Sequence, residues 1–396
     1  MKQVKNISLA ILAGLLMAGC SNEEDPVTPI DDTKVELGIT AGVALTKSAI
    51  DGGEQIDATG GSLMSALAVY AKDKEATTSY STNNYALYTR NNETWSATVV
   101  SGETPKIFLT SDVATIYAYH PAYTPDATNH NMQTAGDPLK TTGTLGTDAK
   151  INVSVFEGGT SPTNNLNTNS TITVPSSYNA TALSAPGEVD YMWAEKKGNT
   201  DKFEASNGKV GGTTSSVALN MKHALSMVSF RVYNDGNYAK TGLLSKIELK
   251  NKSNTVLSKG TRPTMDIASG VITAGVEDAA TYTRIIANHD NTSGYTLPKQ
   301  GVAPNAGTDA AKDAAAVFSI LVLPDASAVA KNNIQVTFTI DGEAFEVKLA
   351  ANETGVQWEP GKNNLYTAKL SGKSLTLSSV TVEAWDKVDK ELGTVD

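Results

Sequence analysis

Strict alternation of apolar and polar residues in short runs constrains the fold of this chain more than any other feature. In Ile334–Ile340 every second residue is apolar, and residues 345–349 repeat the alternation. A period of two is typical of a strand with one buried face. Asp341 and Gly342 separate the two runs, and this pair suits a type I′ turn because both central residues of that turn need positive φ. The sequence therefore predicts a β-hairpin here.

Similar short runs recur along the chain, separated by turns rich in Gly, Asn and Pro. The further predicted strands are 35–45, 63–71, 85–89, 95–100, 106–109, 115–119, 151–156, 172–174, 217–221, 225–232, 246–249, 317–323, 365–370 and 375–385. Residues 310–316 are rich in alanine and predict one or two turns of helix at most. Many short strands of this kind indicate an all-β chain built from antiparallel β-sandwiches.

The N-terminus has the pattern of a lipoprotein signal peptide. Lys2 and Lys5 precede an apolar run over residues 7–18, which is too short to span a bilayer but suits a secretory signal. The run ends in small residues before Cys20, with Met17 where leucine is usual. We therefore predict that residues 1–19 are removed and that Cys20 carries a lipid such as palmitate. The alternative is an ordinary signal followed by a free, buried cysteine.

Removal of residues 1–19 leaves 377 residues, and the loss of two lysines takes the net charge from −10 to −12. Such a negative surface repels phosphate backbones and argues against nucleic acid as a partner. Residues 20–34 are acidic and poor in apolar side chains, which favours a flexible tether. A polar stretch over 206–216 suggests a boundary between an N-terminal domain of residues 35–210 and a C-terminal domain of residues 211–396. With Cys20 lipidated, no disulfide can form within the mature chain.

The sequence offers no set of catalytic groups, so no catalytic, cofactor or metal site is predicted and the chain is not expected to be an enzyme. The four histidines show no zinc-binding spacing. Ser206 and Lys209 match Ser-x-x-Lys, and residues 240–242 read Lys-Thr-Gly, as in penicillin-recognising enzymes. The two motifs are only some thirty residues apart and lack the Ser-Asp-Asn element between them, which favours a chance match.

A few polar and aromatic residues leave two interpretations open. Residues 235–237 and 290–291 are either calcium ligands or hairpin tips, and the turn is favoured. His223 is either a metal ligand or a hydrogen-bonded structural residue, and the latter is favoured. Tyr117, Tyr119 and Tyr123 form either a sugar-binding surface or part of a sandwich core, and core packing is favoured.

The last predicted strand changes phase. Leu375 and Leu377 share one face, whereas Val380, Val382 and Ala384 have the opposite parity. The change at residues 378–379 predicts a β-bulge or a break into two strands. This segment either completes the sheet of its own subunit or pairs with another subunit.

Five blocks in order resemble the fimbrillin family of Bacteroidales. They are residues 63–71 (LMSALAVYA), 116–121 (IYAYHP), 219–230 (LNMKHALSMVSF), 358–370 (WEPGKNNLYTAKL) and 380–385 (VTVEAW). The resemblance implies two transthyretin-like antiparallel β-sandwich domains in tandem and a subunit of a type V pilus. Residues 21–26 also resemble the acidic signal that sends Bacteroidetes lipoproteins to the outer face of the outer membrane, although a plain linker fits the composition equally.

The resemblance also implies an assembly route, and this route indicates which residues form the site and which partners take part. A trypsin-like or arginine-specific protease removes the lipidated N-terminus with the first strand, here residues 35–45, and Lys47-Ser48 is the predicted cut. The family more often has arginine there, so an uncleaved anchor subunit is the alternative. The vacated groove accepts a donor strand from the next subunit. Residues 375–392 are the candidate donor, and its apolar side chains are Leu375, Leu377, Val380, Val382 and Trp385.

Partners implied in this way are other pilus subunits in head-to-tail strand exchange, the protease, the outer membrane and a host or bacterial surface ligand. The protein would be a surface lipoprotein first and part of an extracellular fimbrium after processing. A surface glycan-binding lipoprotein of a polysaccharide uptake system is the rival hypothesis. The sequence leaves stalk, tip and anchor roles open.

Overall fold

The structure is a computed structural model, and it describes a little over half of the chain. The described residues are 33–43, 66–74, 80, 84–91, 94–98, 106–121, 150–153, 155, 180–185, 188, 190–195, 202–208, 213–251, 263–273, 281–288, 294–301, 310–329, 334–349 and 356–384. Within them the regular secondary structure is almost entirely β-strand, with one short helix, α1 (Ala310–Ala314). No helix in this part of the chain is long and apolar enough to cross a membrane. The all-β prediction is confirmed.

The first eleven strands lie between residues 35 and 223. They are β1 (Val35–Glu36), β2 (Gly38–Val43), β3 (Ala66–Asp73), β4 (Tyr85–Asn91), β5 (Thr94–Ala97), β6 (Phe108–Leu109), β7 (Ala114–His120), β8 (Lys150–Asn152), β9 (Met192–Ala194), β10 (Phe203–Ala205) and β11 (Ser216–His223).

The remaining thirteen described strands lie between residues 226 and 384. They are β12 (Ser226–Asn234), β13 (Leu243–Asn251), β14 (Thr264–Asp266), β15 (Ile272–Thr273), β16 (Thr281–Ile285), β17 (Tyr295–Thr296), β18 (Val317–Val322), β19 (Asp325–Val329), β20 (Ile334–Ile340), β21 (Glu343–Lys348), β22 (Val356–Trp358), β23 (Lys362–Ser371) and β24 (Ser374–Ala384).

The N-terminal lobe, defined here as β1–β7 and β9–β11, is built on one large sheet. Its strand order is β2-β11-β9-β7-β3-β4-β5, with β10 also paired to β7 and a small separate sheet of β1 and β6. The two ends of this order, β2 and β5, lie close to each other, so the sheet curves around its core. The core is formed by alternate residues such as Val69, Ile116 and Leu219, each at most 2% exposed.

The C-terminal lobe, defined as β12, β13 and β16–β24, contains two facing sheets. One has the order β18-β12-β23-β24 and the other β16-β13-β20-β21. Their inner faces meet through aromatic side chains: the Phe230 ring contacts Phe338 edge-on at 5.5 Å between centroids and stacks on Tyr366 at 5.8 Å. Burial of such side chains supplies the main stabilising free energy of a sandwich of this type.

The two lobes share a core and are joined by a short crossing, and a small third sheet, β15-β14-β8, combines segments from both halves of the chain. Only Ala224 and Leu225 separate β11 in the first lobe from β12 in the second. Strand β8 pairs with β14, so a segment that precedes β9 in the chain pairs with one that follows β13. On β3, Val69 faces the N-terminal core, whereas Tyr70 belongs to the large core that includes Phe230. At β3 the N-terminal sheet is therefore buried on both faces.

Most pairings are antiparallel, as predicted, but β2–β11 and β12–β23 are parallel. The predicted hairpin is confirmed: Asp341 has a φ of 50° and Gly342 a φ of 78°. The predicted bulge in the last strand is also present, since Thr367 pairs with Ser379 and Ala368 with Leu377, which leaves Ser378 as the extra residue. The short helix at 310–314 agrees with the predicted turn or two.

The predicted domain boundary lies next to a strand of the N-terminal sheet. Strand β11 begins after the predicted boundary at residues 210 and 211, yet it pairs with β2 and β9 in the N-terminal sheet. The tandem transthyretin-like arrangement of residues 35–210 and 211–396 stays a prediction. The predicted strand 172–174 lies outside the described residues.

Candidate functional site: the terminal strands

Several predicted site residues lie outside the described part of the chain. These are Cys20 with the signal peptide, the predicted cut at Lys47-Ser48, and Trp385 with the residues that follow it. Of the candidate donor strand, the backbone of residues 375–384 is described. The candidate site therefore consists of the first strand, β2 with the residues just before it, and the last strand, β24.

Strand β2 lies at the end of the N-terminal sheet and pairs in parallel with β11, from Gly38 opposite Ser216 to Val43 opposite Met221. Leu37 is 1% exposed and Ile39 is 5% exposed, because both point into the N-terminal core. Burying an aliphatic side chain of this size stabilises by roughly 1.5–3 kcal/mol. The first strand is thus an edge strand that fills a core.

Polar contacts hold the residues before β2. At Leu37, the carbonyl accepts the Tyr88 hydroxyl (2.7 Å) and the N–H donates to the Ile107 carbonyl (2.9 Å). Further toward the N-terminus, Asn207 Nδ2 donates to the Thr33 carbonyl (3.0 Å). Burial, with a smaller contribution from the nearby Glu36 carboxylate, raises the pKa of the Tyr88 hydroxyl well above its usual value. Tyr88 is therefore a neutral donor at physiological pH.

An ion pair outside the core adds little to this attachment. Lys106 Nζ lies 2.6 Å from Glu36 Oε2, but the two side chains are 35% and 40% exposed. Exposed pairs of this type contribute about 0–1 kcal/mol. The retention of β2 therefore rests on Leu37, Ile39 and backbone pairing, and not on charge.

Strand β24 is the end strand of its sheet and pairs antiparallel with β23. The bulge at Ser378 changes the parity of the pairing, so Leu375, Leu377 and Val382 lie opposite Leu370, Ala368 and Asn364. These three partners share one face of β23, and the bulge thus brings both apolar sets of β24 to one face. Leu375 is buried, whereas Val382 is 53% exposed. Val382 is therefore much less covered than Leu375.

A buried hydrogen bond lies where β11 crosses into β12. His223 Nδ1 donates to Asp190 Oδ2 at 2.8 Å, with both side chains fully buried. The next N–H, that of Ala224, donates to the Tyr191 carbonyl at 2.8 Å. His223 is thus a hydrogen-bonded structural residue, as favoured from the sequence.

Glu188 and Arg284 form a second buried polar group, which sequence reasoning missed. Glu188 Oε1 accepts the Leu321 N–H at 2.8 Å and Oε2 accepts the Ala185 N–H at 3.0 Å. Burial raises the pKa of Glu188 to about 7, although Arg284 and the two N–H groups lower it. Arg284 lies in a strand-like run in which it alternates with Thr281 and Thr283. Nothing in that sequence pattern indicates that the Arg284 side chain is only 1% exposed.

Among the described residues, the weaker candidates of the sequence lie in turns or in the core, whereas Tyr123, Lys209 and residues 290–291 lie outside the described part of the chain. Ser206 Oγ accepts the Gly208 N–H and bonds to Thr213, and Asp235 accepts the Asn237 N–H, both within tight turns. Tyr119 is fully buried and Tyr117 packs against the same core, which is the core role favoured from the sequence. Among the described residues no group of three His, Cys, Asp or Glu side chains is placed to hold a metal ion.

Known structures of similar architecture include two from Bacteroides species. A candidate cell adhesion protein of Bacteroides uniformis aligns with 89% of this chain and 99% of its own at 18% identity and a TM-score of 0.50. A candidate cell adhesion protein of Bacteroides ovatus aligns with 90% of this chain and 100% of its own at 14% identity and a TM-score of 0.52. At such identities the likeness concerns the fold alone.

Comparison of the amino-acid sequence with family profiles shows the family. No curated protein matches the chain. The profile of a protein family whose description is fimbrillin-like matches residues 159–385, which is more than half of the sequence. This match spans β9 to β24 and includes three of the five blocks that suggested the resemblance. The chain belongs to the fimbrillin-like family.

Proposed function

We propose that this protein is a structural and adhesive subunit of a type V pilus, exported as a lipoprotein and assembled by protease-triggered strand exchange. Membership of the fimbrillin-like family supports the pilus-type adhesive role and a cell-surface location. The observation that carries the mechanism is the position of the first strand, which is at once an edge strand and a filler of the N-terminal core.

Removal of β2 would expose two kinds of surface. The outer N–H and C=O groups of β11 would lose their partners, and the pocket filled by Leu37 and Ile39 would face water. A strand from another molecule satisfies both needs, because its backbone pairs with the open edge and its alternate side chains fill the pocket. The vacated position is therefore a suitable acceptor.

The last strand is the proposed donor. It is an end strand, so its release breaks pairing with β23 alone, and Val382 is already more than half exposed. Because each subunit would be both donor and acceptor, through different strands, the contact is head-to-tail and builds a filament and not a closed dimer.

Limited trypsin digestion followed by electrophoresis without boiling tests the proposal. We expect cleavage after Lys47, a new N-terminus at Ser48 by sequencing, and a ladder of heat-sensitive oligomers. A Lys47→Gln variant is the matched control and should remain uncut there and monomeric. Deletion of residues 375–396 should leave cleavage intact and abolish the ladder.

Two outcomes would contradict parts of the proposal. Trimmed protein that stays monomeric would exclude strand exchange at the vacated position. A ladder that persists without residues 375–396 would exclude this segment as the donor. Binding of the untrimmed monomer to a soluble polysaccharide would instead favour a glycan-binding lipoprotein, the rival function.

A further inference from the structure

One edge strand of the C-terminal lobe is closed by a segment that comes from far away in the chain. Strand β18 ends the sheet β18-β12-β23-β24 and pairs with β12 alone. Residues 180–185 and 188, which we call the strap, pass along its outer side. The chain then continues into β9, which pairs with β7 and β11 in the N-terminal sheet.

The strap occupies the hydrogen-bonding positions that a neighbouring strand would use. In an edge strand, the N–H groups of residues two apart point to the same open side. On β18 these are Ser319 and Leu321. The Ser319 N–H donates to the Leu183 carbonyl at 2.7 Å, and the Leu321 N–H donates to the Glu188 carboxylate at 2.8 Å.

Arg284 on β16 closes the carbonyl side of the same edge. Its Nη1 donates to the Ser319 carbonyl at 2.8 Å and also to the Leu183 carbonyl, and its Nη2 donates to the Ala182 carbonyl. The guanidinium thus binds the edge strand and the strap at once. Its position 5.3 Å from the Phe318 ring centroid fixes it further.

One hydrogen bond anchors the start of the strap, and another lies within the strap. The Ala180 N–H donates to Asn288 Oδ1 at 3.0 Å, and Glu188 Oε2 accepts the Ala185 N–H at 3.0 Å. Glu188, Arg284 and Ser319 are each at most 1% exposed, so water does not compete for these bonds. At the opposite end of the sheet, β24 pairs with no described strand other than β23, although β21 of the facing sheet lies near it.

We propose that the strap is an intramolecular guard that closes the β18 edge, so that strands of other copies can add to this sheet only at its β24 end. Exposed edges of this kind are templates for pairing with further chains. A subunit with both edges open would extend its sheet in two directions and associate laterally. The strap prevents this, and its role does not depend on protease processing or on the proposed pilus.

Loosening the strap tests the proposal on the purified, unprocessed protein. Glu188→Ala removes the acceptor of the Leu321 N–H, and Asn288→Ala is a milder variant that releases only the start of the strap. Glu343→Ala is the control, because it removes a carboxylate that is 55% exposed and bound to Lys240. Hydrogen exchange of the Ser319 and Leu321 amides and sedimentation velocity are measured at two protein concentrations.

At low concentration we expect the Leu321 amide of Glu188→Ala to exchange roughly tenfold faster or more, the factor that corresponds to losing a buried hydrogen bond to a charged group. At high concentration this variant should form oligomers, in which the Ser319 and Leu321 amides are protected again. Asn288→Ala should show the same changes to a smaller extent, and Glu343→Ala none.

Three results would overturn the guard role. Exchange at Leu321 that is unchanged in both strap variants would show that the strap does not close the edge. Faster exchange without association at high concentration would show that an open β18 edge attracts no second copy. Oligomers in which both amides remain unprotected would place the new contact elsewhere. None of these results bears on strand exchange at β2, since β2 is intact in every variant.

Discussion

At the scale of single residues, the two lobes meet around polar groups that are fully buried. Glu188 and Asp190 lie within three residues of each other, and each binds a different lobe: Glu188 reaches Leu321 on β18, and Asp190 reaches His223 on β11. Buried carboxylates are costly unless their hydrogen bonds are satisfied, and removal of one partner leaves the other unpaired. Glu188 and Asp190 therefore hold this segment of the chain between β18 of the C-terminal lobe and β11 of the N-terminal lobe.

The raised pKa of Glu188 predicts a pH dependence of stability. Its folded value of about 7 lies above the ordinary 4.5, so the folded protein retains a proton that the unfolded chain releases. The stability from this group is complete below the unfolded pKa and is lost as the pH rises through 7. A shift of this size corresponds to a loss on the order of 3 kcal/mol.

Urea unfolding at pH 5 and pH 8 measures this loss. Glu188→Gln carries no titrating proton, so its free energy of unfolding should fall less between the two pH values than that of the unaltered protein. Glu343→Gln, on the exposed surface, should change the difference little. Parallel curves for the unaltered protein and Glu188→Gln would refute the assignment.

At the scale of elements, the turn between β14 and β15 brings the C-terminal part of the chain against the N-terminal sheet. Gly270 has a φ of 68°, and a Cβ at this position would lie 1.9 Å from Nε1 of Trp193 on β9. Only glycine fits such a backbone and such a contact without displacement. The β14–β15 hairpin therefore packs so closely on the Trp193 indole that residue 270 has no room for a side chain.

Gly270→Ala should lower the free energy of unfolding by about 2–4 kcal/mol, the sum of backbone strain and forced overlap with Trp193. Gly342→Ala is the matched control: it has a φ of 78° but no atom within 4 Å of the added Cβ. It should cost about 1 kcal/mol, from backbone strain alone. Thermal or urea unfolding of both variants compares the two costs, and equal losses would contradict the contact.

Elements with a regular pattern could be predicted from the sequence, and several of the short ones could not. Ile334–Ile340 was predicted with its observed bounds, and the bulge in β24 followed from the change of parity at residues 378–379. The strands β9, β14, β15 and β17 have two or three residues, too few to show a period. Their pairing depends on partners that lie up to about a hundred residues away, such as β8 for β14.

At the scale of the whole molecule, the lobes share a hydrophobic core. The cluster that contains Phe230 and Phe338 of the C-terminal lobe also contains Tyr70 and Tyr119 of the N-terminal sheet. Domains joined by a large apolar contact do not behave as independent units. The strap, the β8–β14 pair and the β11–β12 crossing tie the same lobes together.

We therefore expect the two lobes to unfold in one cooperative transition. Differential scanning calorimetry should show one peak whose van't Hoff enthalpy approaches the calorimetric enthalpy. Glu343→Ala, which lies on the surface, should keep a single peak. Two separate peaks for the unaltered protein would show that the shared core does not couple the lobes.

The sequence by itself determined the class of fold, the longer strands, the 341–342 turn, the bulge and the resemblance to fimbrillins, because each of these is encoded by neighbouring residues or by a motif. The tertiary structure alone decided that β2 pairs in parallel with β11, that β11 belongs to the N-terminal sheet, and that the strap closes β18. Glu188 and Arg284 meet the edge strand across more than thirty residues of chain. Such long-range pairing leaves no periodic signal in the local sequence, since it depends on which backbone groups the fold leaves open.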